Sequence, residues 1–187
     1  MNSFNQRKKD VLFKVDKSSI GEWDERIIGL CGIINSGENY YTTSSCSGRI
    51  IVMKDVEKKQ SGLFYFVSHD KLKFGNFVEE VQKINQGNYK FKQVPVILHV
   101  ACRDLENAKS LLEKGQEAGF KRSGIISFGK NIVVELNATE MIEFPLIEEG
   151  KLIVSEEFLK IVICKSESNL ERGWKKIENL KQILEKG

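Results

Sequence analysis

The chain is poor in the residues that announce an architecture or a chemistry outright. Its 187 residues hold two histidines (His69 and His99), two prolines (Pro95 and Pro145) and four cysteines. Cys31, Cys46, Cys102 and Cys164 form no CxxC pair, and with only two histidines no metal-ligand spacing emerges. This argues against a zinc knuckle and against a disulfide scaffold, so no metal is expected and the thiols fit a reducing cytoplasm. Two prolines and no Gly/Ser-rich stretch leave nothing that reads as a linker. A single domain over residues 1–187 is the expectation. No apolar run approaches the ~20 residues that span a bilayer, and Met1-Asn-Ser-Phe-Asn-Gln-Arg-Lys-Lys-Asp10 lacks the apolar core of a secretory signal. There is no GxGxxG after a strand and no GxxxxGK[ST], so neither a Rossmann cofactor fold nor a P-loop is supported. A net charge of +3 is only mildly basic and neither requires nor excludes a nucleic-acid partner.

What is present is the ordinary substance of a globular protein, 41% hydrophobic and 29% charged. Apolar residues at helical spacing predict a helix over 3–15 and a second one carrying Trp23, Ile27, Leu30 and Ile34, stopped by Asn35-Ser36-Gly37. Tyr40 to Met53 then reads as two strands about a Ser/Gly kink, with Gly62–His69 pairing across a charged loop. Asn76 and Glu79 form a capping-box pattern for a helix ended by Gly87. Val94–Val100 reads as one buried strand. Asp104 caps a helix whose Leu105, Ala108, Leu112 and Gly115 share a face, with Gly119 at its end. Ile125–Phe128, Ile132–Leu136, Phe144–Ile147 and Lys151–Val154 are strands. Ser155 caps a final helix whose Leu170, Trp174, Ile177 and Leu184 form a packing stripe. The order predicts an α+β domain with a mixed or antiparallel sheet flanked by helices.

Polar turns are where chemistry can sit. Thr42-Thr43-Ser44-Ser45-Cys46-Ser47-Gly48-Arg49 gathers hydroxyls, a thiol and a guanidinium in one bend, a combination able to converge on an anion. A kinked Ser/Thr-rich strand would look the same. Leu98-His99-Val100-Ala101-Cys102-Arg103-Asp104 carries a histidine able to act as base or donor, although a core histidine is the commoner outcome on an apolar strand. Arg103 needs a partner if buried. Lys121-Arg122-Ser123-Gly124 and His69-Asp70 are further polar turns. Residue chemistry alone leaves the ligand open.

Together the blocks Tyr40-Tyr-Thr-Thr-Ser-Ser-Cys-Ser-Gly-Arg-Ile50, Val67-Ser-His69, Ile97-Leu-His-Val-Ala-Cys-Arg103 and Gly119-Phe-Lys-Arg-Ser-Gly-Ile125 resemble the signature blocks of the tRNA wybutosine-synthesising protein 3 family, in order and separation. Asp16-Lys-Ser18, Asp24-Glu25, Phe144-Pro145-Leu146 and Val154-Ser-Glu-Glu-Phe158 resemble its flanking blocks. The chain looks more like the archaeal branch, which lacks a basic tail.

The resemblance implies a tRNA methyltransferase with a fold other than the Rossmann type. It implies transfer of a methyl group from S-adenosyl-L-methionine to N4 of a demethylated wyosine-type base 3′ of the anticodon in phenylalanine tRNA. His99 is the expected base, with Asp104 second. Ser44, Ser45, Cys46, Ser47, Gly48, Arg49, Ala101, Cys102, Arg103, Ser123 and Gly124 are the expected cofactor set, one of the two arginines taking the cofactor's carboxylate. His69, Lys121 and Arg122 are the expected substrate contacts. The alternatives are a non-catalytic tRNA-binding factor and a hydrolase using a thiol or histidine, the latter marked by a depressed cysteine pKa.

Overall fold

Ser3 starts the first helix by accepting a hydrogen bond from the Gln6 amide at 3.2 Å, and the apolar residues that follow give α1 (Phe4–Leu12). The computed structural model describes residues 3–13, 24–56 and 62–186; the expected helical positions 14 and 15, and Trp23, lie outside them. The chain divides into two compact units, each with its own antiparallel sheet. The first comprises Met1–Ser47, Val96–Thr139 and Trp174–Gly187, and the second Gly48–Pro95 and Glu140–Gly173.

In the first unit, α2 (Glu25–Ser36) leads into β1 (Tyr40–Cys46). Later come β5 (Ile97–Cys102), α4 (Leu105–Ala118), β6 (Gly124–Phe128) and β7 (Ile132–Asn137). The sheet order is β1-β5-β7-β6. One face carries the core, where Leu98, Val100, Val134 and Leu136 meet Leu30 and Ile34 of α2 and Ala108 and Leu111 of α4. On the other face α1 sets Phe4 against Tyr41 and Ala101. Asp104 caps α4 as expected, and Gly119 ends it at φ 107°. The buried face of α4 is Ala108, Leu111, Gly115 and Ala118, whereas Leu105, expected there, is exposed at 55%. Gly115 lets the helix approach β7 closely: a Cβ would lie 2.6 Å from Leu136 Cδ2.

The second unit holds β2 (Arg49–Lys54), β3 (Phe64–Ser68), α3 (Phe74–Gln82), β4 (Tyr89–Val94), β8 (Ile142–Glu148) and β9 (Lys151–Leu152). They form a sheet of order β3-β2-β4-β8-β9. A chain of rings fills this unit. Phe66 meets Phe77 at 5.5 Å between centroids, Phe77 meets Phe91 at 6.0 Å, Phe91 stacks on Phe144 at 5.0 Å, and Phe144 meets Phe158 at 5.2 Å. The last helix, α5 (Glu156–Lys186), starts at Ser155, whose Oγ accepts from the Phe158 amide. It contributes to both units, and Ile177 and Leu180 of its second half lie in the core of the first.

Two expected elements differ. The apolar run Val94–Val100 is two strands, because Pro95 has no N–H to continue a ladder: β4 ends at Val94 in one sheet and β5 begins at Ile97 in the other. Asn76 is not a cap. α3 begins at Phe74 after Lys73 and ends at Gln82, while Gly87 occupies a later turn at φ 79° and accepts from the Gly150 amide.

Candidate functional site

On β1, strand alternation would place positions 41, 43 and 45 on one face. The pairing with β5 slips between Thr42 and Ser44, and this bulge reverses the alternation. Tyr41, Ser44 and Cys46 thereby stand opposite Ala101, His99 and Ile97. Thr42 and Ser45 turn to the other side, where the Thr42 hydroxyl bonds Asn35 of α2 and Ser45 bonds the Cys31 thiol. The hydroxyl run is therefore divided between two faces, and only part of it meets His99.

What it meets there is a row across three strands. Ser44 of β1 pairs with His99 of β5, and His99 pairs with Glu135 of β7. The Ser44 Oγ lies 3.1 Å from His99 Nδ1, and His99 Nε2 lies 2.8 Å from Glu135 Oε2. Asn137 donates from Nδ2 to Glu135 Oε1 at 3.2 Å. His99 and Glu135 are 30% and 26% exposed, open enough to meet a ligand and covered enough to hold their geometry. Thr43 Oγ1 donates to the His99 carbonyl at 3.2 Å and fixes the bulge.

Beyond Cys46 the backbone turns at Ser47-Gly48. Ser47 is fully buried, and its amide donates to Asp24 Oδ2 at 2.6 Å. Asp24 stands at the N-cap of α2 without capping it, its carboxylate being engaged by the kink. The Ser47 Oγ has no hydrogen-bond partner among the described residues. Gly48 adopts φ 91°, a conformation glycine takes without strain. Arg49 opens β2, and its guanidinium lies 5.3 Å from the Phe64 ring. Its Nε is buried with no partner among the described residues. A buried, unmatched donor on a cation is able to take an anionic acceptor.

The family model Methyltransferase TYW3 matches residues 6–186. The chain belongs to that family. It is similar, at 34% identity over 98% of this chain and 75% of the relative, to the tRNA wybutosine-synthesizing protein 3 homolog of Danio rerio. An Archaeoglobus fulgidus relative, 38% identical over 87% of this chain and 83% of its own, is named tRNA(Phe) 7-((3-amino-3-carboxypropyl)-4-demethylwyosine(37)-N(4))-methyltransferase. A solved structure of a Pyrococcus horikoshii protein superposes with a TM-score of 0.87 at 34% identity, covering 96% of this chain and 93% of that one. A TYW3 methyltransferase therefore has this α+β, non-Rossmann architecture, as expected from the missing glycine fingerprint.

Several residues of the expected TYW3 site have other work in the structure. Arg103 donates from Nε to Asn39 Oδ1 at 3.0 Å, and from Nη2 to Asn5 Oδ1 at 2.8 Å and the Glu38 carbonyl at 2.9 Å. With Phe4 4.9 Å from its guanidinium, it clamps α1 to the turn before β1. Asp104 accepts from the Asn107 amide and side chain at 2.9 and 2.7 Å, which holds its carboxyl below the usual carboxylate range and makes it a cap and a poor base. Ala101 and Cys102 are buried, each paired with β1 and β7, and offer no side chain to a cofactor. Burial, then the Asp104 charge, pushes the Cys102 thiol up to about 12, and burial raises Cys31. Neither is the activated thiol a hydrolase would need. Ser123 accepts from the Asn137 amide at 3.1 Å and donates to the Phe120 carbonyl at 2.8 Å, so it fastens β7 to the turn before β6. Gly124 stands opposite Glu135. Lys121 and Arg122 are exposed, and His69 is half-buried in the turn after β3.

Sequence reasoning missed Glu135 and Asn137. Their signal was available only through pairing, since Glu135 lies 36 residues from the histidine it contacts.

Proposed function

We propose that this chain, as one domain over residues 1–187, is an S-adenosyl-L-methionine-dependent tRNA methyltransferase. Its substrate is N4 of the demethylated wyosine-type base beside the anticodon of phenylalanine tRNA, and its setting is the cytoplasm. The observation that carries this reading is the family match over residues 6–186, with relatives bearing that activity in their names at 36% and 38% identity.

The residues fit the cofactor such an enzyme requires. Arg49, with its buried unmatched Nε, suits the carboxylate of the methionine moiety, and Gly48 beside it leaves the backbone free of a side chain. Arg103 is already occupied, which favours Arg49 for this task. The cofactor, when bound, supplies an electrophilic methyl group. The chain's own part is to orient the base and receive the proton that the ring nitrogen loses. His99 serves as the base, because Asp104 is spent on its helix. Orientation contributes up to about 7–11 kcal/mol to such a barrier, and a positioned base about 10²–10⁴-fold.

The test is transfer of a labelled methyl group from S-adenosyl-L-methionine to two phenylalanine tRNAs, one bearing the demethylated tricyclic base and one bearing unmodified guanosine. Label on the first alone is expected. Steeply salt-dependent binding of both tRNAs, indifferent to the cofactor and without transfer, would replace this reading with that of a tRNA-binding factor.

A further inference from the structure

The row Ser44–His99–Glu135 defines which nitrogen of the histidine works. An ionised carboxylate only accepts hydrogen bonds, so the 2.8 Å contact with Glu135 Oε2 places the imidazole proton on Nε2. In the neutral imidazole Nδ1 then keeps its lone pair and can accept from the Ser44 hydroxyl, 3.1 Å away. Asn137 Nδ2 holds the second carboxylate oxygen, so Glu135 is fixed at both ends. Ser44 is exposed, and with its proton directed at Nδ1 its oxygen lone pairs point away from the histidine, free to accept a donor from outside.

We infer that Glu135 is a positioning residue for the methyl transfer: it locks His99 in the Nε2–H form so that Nδ1 receives the substrate's proton through Ser44. The N–H bond of the ring nitrogen breaks as its proton passes to Ser44 Oγ, and the hydroxyl proton of Ser44 passes to Nδ1. The electron pair stays on the ring nitrogen, and the imidazolium so formed faces the Glu135 carboxylate. Ser44 thereby acts on the base, a different role from the cofactor contact expected of it. The inference rests on the methyltransferase reading and deepens it.

The nitrogen-15 spectrum of the histidine side chains tests it directly, since the chain has two histidines and a His99→Gln variant assigns the signals. The wild-type protein should show His99 as a single Nε2–H form, without tRNA or cofactor. In Glu135→Ala that form should give way to a mixture, and kcat should fall about tenfold or more with KM for tRNA unchanged. If Glu135→Ala does not fold, Glu135→Met keeps the length of the side chain and removes the acceptor, and the same mixture of forms and the same fall in kcat are expected. A single Nε2–H form with unchanged kcat in the Glu135 variants, while His99→Gln is inactive, would overturn the inference alone. Full activity in His99→Gln would overturn the role of His99 as base, and the inference with it.

Discussion

At the scale of single residues, the site depends on which charged groups remain available after the fold has used the others. Two arginines flank the polar blocks. Arg103 finds three acceptors within its own unit, while the Nε of Arg49 is buried without one among the described residues. Arg49→Gln should therefore weaken S-adenosyl-L-methionine binding by about tenfold or more, the cost of losing a charged hydrogen bond, while leaving thermal stability near wild type. Calorimetric titration decides it, and undiminished affinity would remove Arg49 from the cofactor site. Asp104 makes the complementary prediction. Its folded carboxyl ionises below the ordinary value of ~3.9, so its contribution to stability is complete above that pH and is lost as pH falls through the folded value. Asp104→Asn, which can still cap, should show a smaller drop in melting temperature between about pH 5 and about pH 2.5 than the wild type.

At the scale of elements, legibility followed how local the determining physics is. Asp104, Gly119 and Ser155 act within one turn of their own helices, and the sequence shows them. The kink at Ser47-Gly48 is equally local. The strand β4 is not. Its pattern Tyr-Lys-Phe-Lys-Gln-Val alternates, with Phe91 and Gln93 buried, but Lys90 and Lys92 disguise it. They are settled by Glu143 across the sheet, at 3.0 and 2.9 Å, and Gln93 is settled by Asn169 of α5 at 2.7 Å. The bulge in β1, which decides which hydroxyls face His99, leaves no local signature at all. The tight turn between β8 and β9 offers a prediction at this scale. Gly150 has φ 76°, and a Cβ there would collide with the backbone of Asn85 and Gln86. Gly150→Ala should cost roughly 2–3 kcal/mol in urea unfolding; a loss below about 0.5 kcal/mol would show that the turn can move aside.

At the scale of the molecule, what composition permitted and what the comparisons supply meet in one account. The charge of +3 left nucleic acid open, and family membership makes tRNA the partner to test. Among the described residues, no helix is long and apolar enough to cross a membrane. Some of the basic surface is already paired. Lys71 bonds Glu171, and Lys90 and Lys92 share Glu143. Lys121 and Arg122 stay exposed on the first unit. The double variant Lys121→Ala, Arg122→Ala should bind tRNA more weakly, with the slope of log affinity against log salt reduced by about 1–2. An unchanged slope would place these residues outside the footprint. The catalytic claim itself is best tested by nucleoside mass spectrometry of phenylalanine tRNA carrying the demethylated tricyclic base, incubated with the protein with and without S-adenosyl-L-methionine. The account predicts a single added methyl group, on N4 of that base and only with the cofactor. An unchanged base, with folded protein and verified substrate, would contradict it.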